Sequence, residues 1–138
     1  MTRQVFIDSS AWVAIAFNDD AHHESATSCY KKLLSNGVFW ITTSFVVAET
    51  YTLIRKRIGH SAGVLFLQGT NDSPRVRVLY PDQPMEIKAK EILIRYADQD
   101  FSLTDAISFA CLRDLGIDEA FSYDRHFLTA GFTLVNGP

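Results

Sequence analysis

The chain has 138 residues, 47% of them hydrophobic and 21% charged, which suits one folded domain over 1–138 that buries its own core without staples. A net charge of −3 gives no overall basic field for nucleic acid, so any such contact must come from a local patch. No apolar run is long enough to span a bilayer, no secretory segment opens the chain, and Cys29 and Cys111 have neither zinc nor redox spacing; the sequence predicts a cytoplasmic protein with no membrane association and two buried thiols.

The apolar run Val5-Phe6-Ile7 predicts a strand covered on both faces, ending at Asp8. A short apolar helix follows from Ala11 to Phe17, then a turn at Asn18-Asp19-Asp20 and a helix over about Ala21 to Leu34, closed by Asn36-Gly37. His22 and His23 stand at the polar start of that helix and receive no chemistry. Residues 38–43 ("VFWITT") predict a second strand, and Thr43 or Ser44 can cap the helix that runs on to Gly59. The stretch "HSAGVLFLQGTNDS" predicts a weaker helix that breaks down at Gly69 to Ser73. Alternation in "RVRVLY" (75–80) predicts a strand, and Met85 to Tyr96 a helix packed on one side. A strongly apolar helix over Leu103 to Leu115, the strand "EAFSY" and a last strand "FTLV" (132–135) complete the chain. Strands alternating with helices predict an α/β fold with a mainly parallel sheet flanked by helices.

Four acids occupy comparable places: Asp8 after the first strand, Glu49 in the helix after the second, Asp105 at the start of the apolar helix, and Asp124 after a late strand. Each also has a purely local reading. Asp8 can cap the helix that follows it, "SLTD" is a capping-box pattern for Asp105, Glu49 lies off the apolar stripe of Val47, Tyr51, Ile54 and Ile58, and Asp124 can cap the turn "DRHF". The local readings leave unexplained why all four fall on one edge of the sheet. In open α/β sheets, ligands gather beyond the carboxyl ends of the strands. Carboxylates brought together there raise one another's pKa unless a cation neutralises them, and Mg²⁺ or Mn²⁺ prefers such oxygen donors.

The segments "VFIDSSAW", "VVAETYTLI", "FSLTDAISFACLRDLGI" and "AFSYDRHF", in this order and at this length, resemble the PIN domain family, and more narrowly its VapC-type ribonuclease toxins. That resemblance implies a single domain with a twisted, mainly parallel sheet between helices. It implies that Asp8, Glu49, Asp105 and Asp124 are catalytic metal ligands, with Ser10 and Thr104 at the accessory hydroxyl positions. Asp100 is a further acid in the same stretch, readable as a plain loop residue. The expected activity is hydrolysis of an RNA phosphodiester with Mg²⁺ or Mn²⁺, in the toxin of a type II toxin–antitoxin pair, with an antitoxin partner and a homodimer.

Asp8 and Asp105 are the first choices for direct ligands; Glu49 and Asp124 complete the set directly or through water. For RNA contact the candidates are Arg55 and Arg57, in the run Arg55-Lys56-Arg57, and Arg125, which with His126 adjoins Asp124. The cationic run also reads as the wet, basic end of a helix. One alternative is a haloacid-dehalogenase-like phosphatase with Asp8 as nucleophile, although Ser10 stands where that chemistry has a second Asp. The other is a non-catalytic nucleic-acid-binding module. No glycine-rich turn follows the first strand, which argues against a dinucleotide-binding domain.

Overall fold

The structure, a computed structural model, describes residues 2–136; Met1 and the closing Gly137-Pro138, which complete the expected 1–138 domain, lie outside it. Strand β1 (Gln4–Ile7) leads into α1 (Ser9–Ala16) and α2 (His23–Ser35); β2 (Phe39–Thr43) passes directly into α3 (Ser44–Arg57) and α4 (His60–Asp72); and β3 (Val76–Leu79) is followed by α5 (Gln83–Arg95) and α6 (Leu103–Leu115). The chain then forms β4 (Glu119–Phe121), α7 (His126–Thr129) and β5 (Thr133–Leu134). The five strands lie in the order β3-β2-β1-β4-β5, and every pairing is parallel. The expected α/β architecture with its parallel sheet is borne out.

The topology fixes where a ligand belongs. From β1 the chain builds outward through β2 and β3, then crosses to the other side of β1 for β4 and β5. The carboxyl ends of β1 and β4 therefore flank the crevice at which the direction of winding reverses, the standard ligand position of such sheets. Ile7 pairs with Phe121, and the Asp8 amide donates to the Phe121 carbonyl at 3.1 Å, so the residues just beyond both strands face one another.

Phe6, Ile7, Trp40, Ile41, Ile107, Phe109, Phe121 and Phe127 are fully buried. Edge-to-face contact of Phe109 with Phe127, at 5.0 Å between ring centroids, ties α6 to α7 beneath the crevice. Helix α6 is buried on all sides from Asp105 to Leu112, the condition of a core helix rather than a surface one. This is what takes a carboxylate in its first turn out of water.

Some boundaries differ from the sequence expectation. Helix α1 begins at Ser9 rather than Ala11, because Asp8 itself is the extended residue before the first turn. Helix α4 does not break at Gly69 but continues to Asp72: Phe66 packs edge-on against Trp12 (5.5 Å), the Thr70 hydroxyl donates to the Leu67 carbonyl (3.0 Å), and the stop comes at Ser73, before Pro74. Packing there outweighs the cost of about 1 kcal/mol of a helical glycine. The late strand covers only residues 119–121, because Ser122 and Tyr123 turn into the crevice, and the expected turn at Asp124 runs on into α7. Cys111 is buried as expected, whereas Cys29 is only partly covered. Among the described residues no helix is long and apolar enough to cross a membrane.

Candidate functional site

Asp8 occupies the cap position of α1, yet its side chain makes no capping hydrogen bond. Its carboxylate turns instead to the crevice floor, where Oδ2 accepts from the hydroxyls of Ser10 and Ser122, each at 3.1 Å. The carboxylate is 3% exposed. Burial raises its pKa to about 6, and the negative charge of Asp105 adds to the rise, while the Ser9 amide and the two hydroxyls pull the other way.

Asp105 caps its helix and also reaches His126. The full capping box forms, with the Asp105 amide donating to Ser102 Oγ at 3.0 Å and the Ser102 amide to Asp105 Oδ2 at 3.1 Å. The same Oδ2 lies 3.0 Å from His126 Nδ1. Asp124 Oδ1 is 3.2 Å from that nitrogen and also accepts the His126 amide at 2.9 Å, the local turn anticipated for "DRHF". A ligand-capable atom from each of Asp105, Asp124 and His126 lies within 4.8 Å of the others. Carboxylates only accept hydrogen bonds, so Nδ1 carries the proton shared between them.

Ser122 links the two halves of the crevice. Its hydroxyl donates to Asp8, accepts the Asp124 amide at 2.9 Å and lies 3.1 Å from Ser10 Oγ, which in turn accepts the Tyr123 amide at 2.9 Å. Glu49 stands apart from the Asp105–Asp124 pair; it is solvent-exposed, and its Oε1 accepts the Ser9 hydroxyl at 2.6 Å. Thr43 caps α3 by accepting the Val46 amide at 3.1 Å, which sets the start of the helix that carries Glu49. Among the described residues no Lys or Arg pairs with any of the four acids.

The remaining candidates spread more widely. Thr104 is half-buried in the first turn of α6, and its carbonyl accepts the Ser108 hydroxyl. Arg55 and Arg57 are exposed near the end of α3, where the Arg57 guanidinium lies 4.6 Å from the centre of the Phe17 ring, engaged in a cation–π contact. Arg125 is exposed beside Asp124. Asp100 is exposed and takes no part in the network. Sequence reasoning missed two participants. His126 is read in the sequence only as a neighbour of Asp124, but its ring lies between Asp105 and Asp124; the Asp-x-His spacing is its only visible signal. Nothing in the sequence distinguished Ser122.

A family model described as PIN domain matches residues 5–132. Over 131 residues the chain is 35% identical to the 23S rRNA-specific endonuclease VapC20 of Mycobacterium tuberculosis, covering 95% of this chain and 97% of that protein. The crystal structure of that VapC20, a toxin that cleaves the sarcin-ricin loop, matches with a TM-score of 0.84 over 94% of this chain and 96% of that one. A VapC ribonuclease of Archaeoglobus fulgidus is 28% identical over 125 residues, 88% of this chain and 77% of the relative. The structure of VapBC2 from Rickettsia felis bound to promoter DNA, at 12% identity and a TM-score of 0.70 over 95% of this chain and 96% of that one, shares the fold. With the family match running from the first strand almost to the last, and with a relative this similar along its whole length, the chain belongs to the PIN domain family.

Proposed function

We propose that this PIN domain protein is a metal-dependent ribonuclease that hydrolyses phosphodiester bonds of RNA, and that it is the toxin of a type II toxin–antitoxin pair. The observation that carries the reading is the convergence of Asp8, Asp105 and Asp124 on the crevice between β1 and β4, with no basic side chain of the described residues paired to them except the shared His126. Supporting it, the 35% identical VapC20 is a 23S rRNA-specific endonuclease.

The donor set fits Mg²⁺ or Mn²⁺: hard carboxylate oxygens, that of Asp8 buried with its pKa raised by burial and by the charge of Asp105. Asp8 and Asp105 would hold the ion, and Glu49 and Asp124 would complete its surroundings. Bound there, such an ion supplies Lewis acidity toward the phosphate and an activated water. The chain's own residues do the positioning. Ser10 and Ser122 orient the Asp8 carboxylate, His126 spaces Asp105 from Asp124, and the Ser9 hydroxyl holds Glu49. Thr104 is the second accessory hydroxyl of this reading. Arg125, exposed next to Asp124, and more distantly Arg55 and Arg57, offer positive charge to the RNA backbone.

The unit of activity is one nuclease domain over 1–138, assembled as a homodimer through the α3–α4 side, where Leu53, Ile58, Leu65 and Leu67 remain exposed. An antitoxin that lays an arginine into the acidic crevice would silence it. Incubation of the purified protein with RNA tests the central claim: cleavage should require Mg²⁺ or Mn²⁺ and stop with EDTA, and cleavage indifferent to chelation would overturn it. Expression alone should slow growth, and co-expression of the cognate antitoxin should restore it.

A further inference from the structure

We infer that the cleft beside Asp124, walled by His22, Tyr123 and Arg125, is a base-binding subsite that takes one unpaired RNA base next to the scissile phosphate. The inference rests on the ribonuclease reading and adds to it the place where the substrate is recognised. The cleft has a volume of about 380 Å³ and is lined also by Leu134, Asn136 and the buried Ser122, the residue whose hydroxyl joins Asp8 to Asp124. Its size falls within the range of about 300–1,000 Å³ usual for small-ligand pockets.

The wall is built to present aromatic surface. His22 and Tyr123 stack nearly parallel, 4.1 Å between ring centroids and 11° between planes, although His22 is exposed and gains little from burial there. The backbone that carries His22 and the side chain of Tyr123 are held in place. The His22 amide donates to Asp20 Oδ1 at 2.8 Å, and the His22 carbonyl accepts the Ala26 amide at 2.8 Å in opening α2. The Tyr123 hydroxyl lies 3.2 Å from Ser25 Oγ, its amide donates to Ser10, and its ring meets the edge of Phe121. Sequence-selective RNA recognition works on unpaired bases stacked against such rings, with an arginine for the adjoining phosphate or for stacking. Arg125 stands on the same wall. The cleft thus combines a fixed π-platform and a cation within one residue of Asp124, the arrangement for a splayed nucleotide whose phosphate reaches the acids.

The test is equilibrium binding, by fluorescence anisotropy in Mg²⁺, of a labelled RNA hairpin with a single-stranded loop to the full-length Asp105→Asn protein, which keeps its fold and cuts slowly. Loop positions are made abasic one at a time. One position should weaken binding about fivefold or more, the scale of a lost base–aromatic stack. His22→Ala should weaken binding of the intact hairpin to a similar degree and make removal of that base inconsequential, while His22→Phe should restore both. Base-removal losses that are the same with and without the His22 ring overturn the subsite. Binding to the protein with His22 intact that no single abasic position weakens also overturns the subsite, whatever a substitution does to the fold. Cleavage of RNA by the unsubstituted chain together with binding indifferent to His22 overturns the subsite alone; absence of both cleavage and hairpin binding overturns the ribonuclease reading and the subsite with it.

Discussion

Replacing Asp8 by Asn should make the metal-free protein more stable while destroying its activity, and the size of the gain should depend on pH in a defined way. Burial and the Asp105 charge raise the Asp8 pKa from 3.8 to about 6. The folded protein therefore holds this proton more tightly than the unfolded chain. That stabilisation is complete below about pH 4, is lost as pH rises through 6, and leaves folding opposed by the cost of ionising a buried acid. The difference of about 2.2 units, at about 1.36 kcal/mol each, amounts to ~3 kcal/mol near pH 7.5, and the same linkage leaves ~1.5 near pH 5 and ~0.5 near pH 4. Asparagine does not titrate, and its side-chain oxygen can still accept from Ser10 and Ser122. Thermal unfolding in EDTA should therefore place the midpoint of Asp8→Asn above that of the unsubstituted protein by about 10 °C near neutral pH, a gap that closes toward pH 4. Added Mg²⁺ should raise the midpoint of the unsubstituted protein and leave the variant unmoved. A variant equal to or less stable than its parent at pH 7.5, or a gain that does not shrink with acid, would refute the claim that burial and the Asp105 charge oppose ionisation of Asp8.

Asp105→Asn keeps an oxygen for the Ser102 amide, so its unfolding free energy should change by less than about 1 kcal/mol while RNA cleavage in Mg²⁺ falls by about 100-fold or more; full activity would leave Asp105 as a helix cap only. Removing the imidazole with His126→Ala leaves Asp105 and Asp124 without their common donor, and cleavage should drop by roughly 10- to 100-fold, the scale seen when groups that orient metal ligands are lost; His126→Gln, which restores an N–H, should recover part of it in the same assay. Light scattering at micromolar concentration should give a dimer mass, and Leu65→Glu, which charges a side chain 68% exposed on α4, should shift it toward the monomer.

The parts of the site that were legible in the sequence are those with a local signature. The apolar run into Asp8, the "SLTD" capping box and the apolar helix that buries Asp105 could each be read from neighbouring residues, and each stands where the pattern put it. Whether Asp8 serves as cap or as site residue is not settled by its neighbours, because its carboxylate is oriented by the Ser122 hydroxyl, 114 positions away. His126 and Ser122 escaped for the same reason: their roles exist only once β4 pairs with β1 and α6 comes under both. Gly69 misled in the opposite direction, since its helix-breaking tendency is a property of the residue, whereas the Trp12–Phe66 contact that holds α4 together is a property of the fold. His22 looked idle beside His23 until Tyr123 was brought against it.

The pairing of β1 with β4 also sets when, in the life of the molecule, the crevice can exist. Asp8 is synthesised 114 positions before Ser122, whose hydroxyl orients it and accepts the amide of Asp124. A nascent chain that ends short of β4 can stack β1, β2 and β3 into half a sheet, yet it has one wall of the crevice and no floor. The acids are brought together only by closure of this non-local pairing, which is slow compared with forming a helix. On the proposed reading, a nuclease directed at RNA is chemically incomplete until β4 has joined β1, and an antitoxin has the interval before that closure in which to meet it.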